Sequence, residues 1–425
     1  MEYGLIGNPL KHSFSKEIHS FISNYTYELC ELSENELDLF MKNKDFKGIN
    51  VTIPYKQKVI PYLDYIDEDA KNINAVNTIV NIDNKLYGYN TDILGVLGTF
   101  THDNINVNNK NVLILGTGAT SNTVSYAVKK CKAKNVYKTY RKGSKILGDI
   151  LYEDIDNISN DINIIINTTS VGMYPHTDDK LLINTNLFKN LKNVIDVVYN
   201  PIRTRLLLDA EKNNIKISSG LYMLIAQAYF ASILFKNKTY NNNFSLNFND
   251  KNLIEQCNLV YNKCRNSKLN IVLTGMPTCG KTTIAKIISG KYNYEFIDTD
   301  ELIEQKINTK IVDFINNYGE EKFRDIESEI IDKISTKNHS VIATGGGAIL
   351  RNDNVLNLKL NGKIFFINRS LKNLKPTTDR PLTSDYNSLQ NKFNERLPIY
   401  KQTCDYEIDG DIDIDERISQ IFDNL

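Results

Sequence analysis

The chain has 425 residues, more than one ordinary hydrophobic core accommodates, and this length predicts two or three domains. Its 51 acidic and 51 basic side chains cancel, so the basic footprint of a nucleic-acid binder is missing. With 41% hydrophobic and 24% charged residues, the composition is that of a globular protein rather than a disordered or fibrous one.

The opening stretch MEYGLIGNPL has no basic segment followed by an apolar one, so no secretory signal is expected. Cys30, Cys131, Cys257, Cys264, Cys279 and Cys404 stand without CxxC spacing or histidine partners. That pattern argues against a disulfide framework or structural zinc and for a reducing compartment. The expected location is cytoplasmic, with neither a membrane nor a nucleic acid as partner.

Along the first half, the β-branched-rich runs Val112–Leu115, Ile162–Ile166 and Val194–Val198 are separated by helix-length segments. The most apolar stretch, Leu221 to Phe235, contains Gln227 and falls short of the ~20 residues of a membrane span, so it reads as a buried helix. Lys236 to Asn270 is the clearest shift in composition, first Asn-rich and then patterned as a short helix over Leu253 to Cys264. A linker is expected within it, at 241–268. The second half repeats the alternation with Ile271–Leu273, Ser340–Ala343 and Lys363–Ile367. Continuous apolar runs of this length suit parallel strands buried on both faces, so both halves are expected to be α/β with parallel sheets.

The run VLILGTGATS (112–121) reads strand, glycine turn, helix, with the helix beginning near Asn122. Gly116, Gly118 and Ala119 would approach a pyrophosphate, while Ser121 stands where a third glycine is usual. The next strand, Asn135 to Tyr140, ends in Arg141 and Lys142, where an NAD enzyme places an acid for the ribose 2′-hydroxyl. Cations there suit a 2′-phosphate and predict NADP.

Seven motifs flank this unit: KHSFS (11–15), GINVTIPYK (48–56), AVNT (75–78), GYNTDILG (88–95), NTTSVGM (167–173), DVVYNP (196–201) and GLYMLIAQ (220–227). In this order the set resembles shikimate dehydrogenase across residues 1 to about 235. The resemblance implies that Ser13, Ser15 and Tyr199 hold the substrate carboxylate and that Thr52, Asn77 and Gln227 bond ring hydroxyls. It makes Lys56 and Asp92 the catalytic pair, and the nucleotide would lie on Gly116, Gly118, Ala119, Tyr140 and Arg141. It also implies a substrate domain at 1–95, an NADP-binding Rossmann-like domain at 96–213 and a helical segment at 214–240 returning to the first. His12 and His19 are read as structural, because the proton donor required by the chemistry is Lys56.

In the second half, GMPTCGKT (275–282) matches the GxxxxGK[ST] phosphate loop between the strand candidate 270–274 and a helical segment, Thr283 to Ser289. Gly275 and Gly280 let backbone N–H groups close on phosphate oxygens. Lys281 would reach the β- and γ-phosphates, with Thr283 beginning the helix, and Thr282 would ligate Mg²⁺. Asp298 and Asp300 follow an apolar pair at a strand's end, and one could hold Mg²⁺ while the other accepts a substrate hydroxyl.

FRDIE (323–327), GGG (345–347), DRPL (379–382) and RLPIY (396–400) follow. Together with the phosphate loop they resemble the shikimate kinase family, here at 269–425. The resemblance implies that Asp300 binds and orients the ring hydroxyls, that Arg324 and Arg396 clamp the carboxylate, and that Gly346 and Gly347 leave room for the ring. Asp298 joins Thr282 at the metal, and Arg380 would come from a lid between Arg369 and Arg380, which is short and lysine-rich.

The expectation is a bifunctional shikimate-pathway enzyme. It would reduce 3-dehydroshikimate to shikimate with NADPH and then phosphorylate shikimate to shikimate 3-phosphate with MgATP. Two alternatives are a first half acting as an NAD-using quinate/shikimate dehydrogenase, and a metabolite-sensing regulator without turnover. Arg141 speaks against the first; retention of Lys56, Asp92, Lys281, Thr282, Asp298 and Asp300 speaks against the second.

Overall fold

A computed structural model describes residues 1–10, 13–144, 148–179, 181–236, 251–376 and 385–425. The chain divides into two compact units, Met1–Asn200 with Asp209–Arg265, and Pro201–Leu208 with Asn266–Leu425.

The first unit holds two sheets. One contains β1 (Tyr3–Gly7), β2 (Tyr27–Glu31), β3 (Gly48–Val51), β4 (Tyr65–Ile66), β5 (Thr78–Ile82) and β6 (Lys85–Tyr89), in the order β2-β1-β3-β5-β6-β4. The strands β1, β2 and β3 run parallel, and β5 lies antiparallel to both β3 and β6. The β5–β6 hairpin turns through Asp83 and Asn84, both at positive φ (49° and 69°), the backbone that a two-residue turn matching strand twist demands.

The other sheet contains β7 (Asn111–Leu115), β8 (Asn135–Tyr140), β9 (Ile150–Leu151), β10 (Ile164–Asn167), β11 (Asn193–Asp196) and β12 (Lys216–Ser219). Its order is β12-β11-β10-β7-β8-β9, and every pairing is parallel. This is the doubly wound order whose switch point lies beside the first strand, and a ligand crevice belongs at the carboxyl end of β7. Residues 112–115 are fully buried, as strands covered on both faces must be.

The helix Gly220–Lys236 buries residues around its whole circumference, including Leu221, Ile225, Ala228 and Phe230. The expected short helix after it is longer, Lys251–Asn266, and is packed: Cys257, Val260 and Cys264 are buried against residues of helix 220–236. Their i, i+3, i+7 spacing forms the apolar stripe responsible.

The second unit carries one parallel sheet of β13 (Asn270–Thr274), β14 (Glu295–Asp298), β15 (Ser340–Ala343), β16 (Gly362–Asn368) and β17 (Tyr406–Asp409). The order is β14-β15-β13-β16-β17, so β13 is central and the loop after it opens at the sheet's carboxyl edge. Among the described residues no cysteine stands in a disulfide. Among the described residues, no helix is long and apolar enough to cross a membrane.

Candidate active sites

In the first unit, the turn after β3 delivers Lys56. The Thr52 N–H bonds Ile6 O at 2.9 Å, the Tyr55 N–H returns to Thr52 O at 2.9 Å, and Lys56 O accepts the Val76 N–H at 2.9 Å. This lacing places Lys56 beside the segment that carries Asn77. Asp92 opens the helix Asp92–His102, where the N-terminal dipole favours a carboxylate. The Lys56 ammonium donates to Asp92 Oδ2 at 2.6 Å, with side chains only 15% and 11% exposed.

Asn77 lines the same wall. Its Oδ1 accepts the Thr91 N–H at 2.7 Å, and its Nδ2 donates to Thr91 Oγ1 at 3.1 Å and Gln227 Oε1 at 3.4 Å. Helix 220–236 therefore meets the Asn77–Thr91–Asp92 corner through Gln227. Ser13 and Ser15 are joined through their hydroxyls at 3.1 Å, and Phe14 between them packs on Tyr199 with ring centroids 5.1 Å apart. Burial raises the Tyr199 hydroxyl pKa above its usual range. Phe14 and Tyr199 pack with Leu221 and Ile225 of the helix that bears Gln227.

At the switch point, Gly116 has φ +106°, which a side chain rarely tolerates, and its N–H bonds Thr139 Oγ1 at 3.2 Å. Ser121 is fully buried, and its hydroxyl donates to Gly116 O at 2.7 Å. The serine in the third-glycine position thus closes the turn with a hydrogen bond. Gly118 caps the helix Ala119–Lys130, with open space where its Cβ would stand. Arg141 and Lys142 directly follow half-buried Tyr140 at the end of β8, and both are exposed. A helix N-terminus, an open glycine and paired cations fit a dinucleotide bearing a 2′-phosphate.

In the second unit, Gly275 (φ +144°) and Gly280 (φ +104°) turn the phosphate loop from β13 into the helix Lys281–Tyr292. The buried Lys281 amine folds back onto Gly275 O at 2.9 Å and Met276 O at 3.0 Å. Thr282 Oγ1 donates to Asp298 Oδ2 at 2.9 Å, and Asp298 Oδ1 accepts the Asp300 N–H at 3.0 Å. Thr283 is exposed on the first helical turn. Two adjacent hard oxygens fit Mg²⁺, which binds through one or two protein ligands and takes the rest from water and phosphate.

The triple glycine after β15 is where the predicted substrate residues meet. A Cβ on Gly345 would stand 2.7 Å from Asp300 Oδ1 and 3.0 Å from Glu327 Oε1, and one on Gly347 would collide with the Arg324 guanidinium. Gly346 O accepts Arg396 Nη1 at 3.2 Å and also the Tyr400 hydroxyl. Asp300, Arg324 and Arg396 therefore border three consecutive glycines.

The two arginines differ in state. Arg324 is engaged, with Nη1 on Glu327 at 2.7 Å and Nη2 on Glu320 at 2.8 Å. Arg396 is buried, and among the described residues its Nε and Nη2 have no hydrogen-bond partner. Unpaired donors of a buried guanidinium mark a place for an anion. Glu327, which the motif alone does not single out, is fully buried, and among the described residues its Oε1 has no hydrogen-bond partner. Burial raises its carboxyl pKa above the usual range, with Asp300 adding to the rise, although Arg324 opposes it. Its signal was the i, i+3 spacing from Arg324 inside FRDIE. Arg380 and His12 lie outside the described residues.

Residues 5–79 match the family model of the shikimate dehydrogenase substrate binding domain, and residues 277–425 match that of shikimate kinase. A shikimate dehydrogenase (NADP(+)) of Clostridium beijerinckii is 40% identical over 242 residues, 53% of this chain and 88% of that protein. The chain belongs to the shikimate dehydrogenase family. It carries a shikimate kinase domain in residues 277–425. A shikimate dehydrogenase (NADP(+)) of Methanococcus maripaludis is 38% identical over 53% of this chain and 87% of its own length. Among solved structures, shikimate dehydrogenase 1 from Peptoclostridium difficile superposes with a TM-score of 0.54 at 32% identity, over 62% of this chain and 98% of that one.

Proposed function

We propose that this chain catalyses two consecutive steps on one cyclic acid. The dehydrogenase half reduces 3-dehydroshikimate to shikimate with NADPH, and the kinase half phosphorylates shikimate on its 3-hydroxyl with MgATP. NADPH supplies a hydride and MgATP a phosphoryl group; the protein's part is to bind, orient and move protons. The substrate domain spans 1–95, rejoined by 214–240, the NADP domain 96–213 and the kinase 269–425, in a cytoplasmic protein.

In the first half, Ser13, Ser15 and Tyr199 take the ring carboxylate, and Thr52, Asn77 and Gln227 take the hydroxyls. Lys56 holds a proton where the ketone oxygen becomes an alkoxide, and Asp92 fixes the ammonium in charge and direction. General acid catalysis of this kind contributes ~10²–10⁴-fold. Arg141 pairs with the 2′-phosphate, while Gly116, Gly118, Ala119 and Tyr140 border the rest of the dinucleotide.

In the second half, Arg396 and Arg324 take the carboxylate and Gly346 and Gly347 leave room for the ring. Asp300 accepts the proton side of the attacking hydroxyl. Gly275, Gly280, Lys281, Thr282 and Thr283 cradle the phosphates with Arg380, and Thr282 and Asp298 hold Mg²⁺. Positioning and charge neutralisation are most of what phosphoryl transfer requires.

One observation carries each half: the 2.6 Å Lys56–Asp92 pair for the reductase, and the two unpaired donors of buried Arg396 for the kinase. Separate assays on purified protein test them. NADPH oxidation should require 3-dehydroshikimate, and ADP formation should require shikimate; absence of either rate removes that half.

A further inference from the structure

Inside the phosphate loop, Thr278 has φ +64°. The left-handed region is a genuine outlier for a β-branched residue, because Cβ and its branches crowd the backbone. Such a conformation persists where surrounding contacts enforce it. Here they are specific and reciprocal. The Thr278 hydroxyl donates to Lys375 O at 3.1 Å and accepts the Lys375 N–H at 3.0 Å. The Thr278 carbonyl also accepts Arg369 Nη1, at the limiting distance of 3.5 Å.

We infer that Thr278 is a positioning residue that staples the tip of the phosphate loop to Lys375, holding the backbone N–H groups of the cradle in their phosphate-binding directions. Thr278 lies three residues before Lys281. The inner side of the loop is held by the Lys281 amine on Gly275 O and Met276 O. On the outer side, the described ties are the Thr278 hydroxyl to Lys375 and the Thr278 carbonyl to Arg369. Thr278 is half-buried, and its hydroxyl is spent on Lys375 rather than on the core. A loop freed at this point adopts ordinary negative φ, turns its N–H groups away, and must be reordered each time a nucleotide binds, which lowers affinity. The ligand class is a nucleoside di- or triphosphate, and the inference rests on the phosphate-loop reading above.

The test uses the full chain with Thr278→Ser, Thr278→Ala and Thr278→Gly. Calorimetry gives the MgADP dissociation constant, and steady-state rates give KM for MgATP and for shikimate. Loss of two neutral hydrogen bonds predicts roughly tenfold weaker MgADP binding and a matching rise in MgATP KM for the alanine and glycine variants, with serine within about twofold of wild type. Shikimate KM and NADPH oxidation should not change. Glycine accepts φ +64° without strain, so that variant decides the matter should alanine fold poorly. A glycine variant that binds MgADP like wild type, or a serine variant as weak as glycine, overturns the staple. Wild-type protein that neither binds MgADP nor forms ADP with shikimate removes the nucleotide reading itself.

Discussion

Arg396→Met separates a guanidinium that maintains the fold from one that awaits a ligand. Arg396 is 3% exposed; Nη1 is spent on Gly346 O at 3.2 Å, and among the described residues Nε and Nη2 have no partner. A hydrogen bond involving a charged group is worth ~1.5–3 kcal/mol, so two such bonds to a carboxylate supply about 3–6 kcal/mol. Their loss predicts shikimate binding weaker by ~10²–10⁴-fold. Each unpaired buried donor meanwhile costs the ligand-free protein about 1–3 kcal/mol, and methionine removes that cost while keeping most of the volume. The variant should therefore melt no earlier than wild type without ligand. It should also lose the shikimate-induced rise in stability, which is about 2.7 kcal/mol for wild type at a hundredfold excess over Kd. Calorimetric titration and melting curves with and without shikimate measure both. Binding within tenfold of wild type, or collapse of the ligand-free kinase transition, would mean that the guanidinium serves the fold and not the ligand.

Four further substitutions probe other residues. Lys56→Met should lower kcat for NADPH oxidation by ~10²–10⁴-fold while ADP formation with shikimate is untouched, and loss of both rates would contradict independent sites. Gly347→Ala places a methyl group against the Arg324 guanidinium, so kinase turnover should fall at least tenfold (about 1.4 kcal/mol) with the dehydrogenase rate unchanged. Arg141→Ala should raise KM for NADPH by roughly 10-fold or more and narrow the preference over NADH; an unchanged cofactor ratio would remove Arg141 from the site. His19 is fully buried, stacked on Tyr27 at 3.8 Å, and burial lowers its pKa to about 3. An unfolded histidine titrates near 6.5, so below that pH the unfolded chain takes a proton that the folded one refuses. Stability is complete above that pH and declines by up to ~1.4 kcal/mol per pH unit as pH falls toward 3. His19→Gln should flatten this acid-side fall in melting temperature, and equal slopes would contradict it.

The parallel cores were readable because buried strands announce themselves as unbroken apolar runs: 112–115, 271–273 and 340–343 all lie inside observed strands. Helix 251–266 was longer than its expected 253–264 and proved to be packed, since its polar composition conceals the Cys257–Val260–Cys264 stripe. Spacing also exposed the residues that a site needs in series, such as Gly275, Gly280 and Lys281. Convergence was harder. That Gln227 meets Asn77 across 150 positions is a tertiary fact which period and composition do not encode. Ser121 looked like a departure from a glycine pattern, and only its bond to Gly116 O shows how the turn closes without that glycine. Glu327 was overlooked because a glutamate on a helix is ordinarily a solvated face; its i, i+3 spacing from Arg324 points to an ion pair but not to full burial. Thr278 was invisible for a related reason: its positive φ and its bonds to Lys375, 97 residues away, belong to the tertiary fold.

On the proposed function, this single polypeptide carries one ring through both reactions. Purified protein given 3-dehydroshikimate, NADPH and MgATP in one vessel should yield shikimate 3-phosphate; without MgATP it should stop at shikimate, and without NADPH it should leave the starting acid intact. Accumulation of shikimate with both cosubstrates present, or no consumption of 3-dehydroshikimate at all, would contradict it.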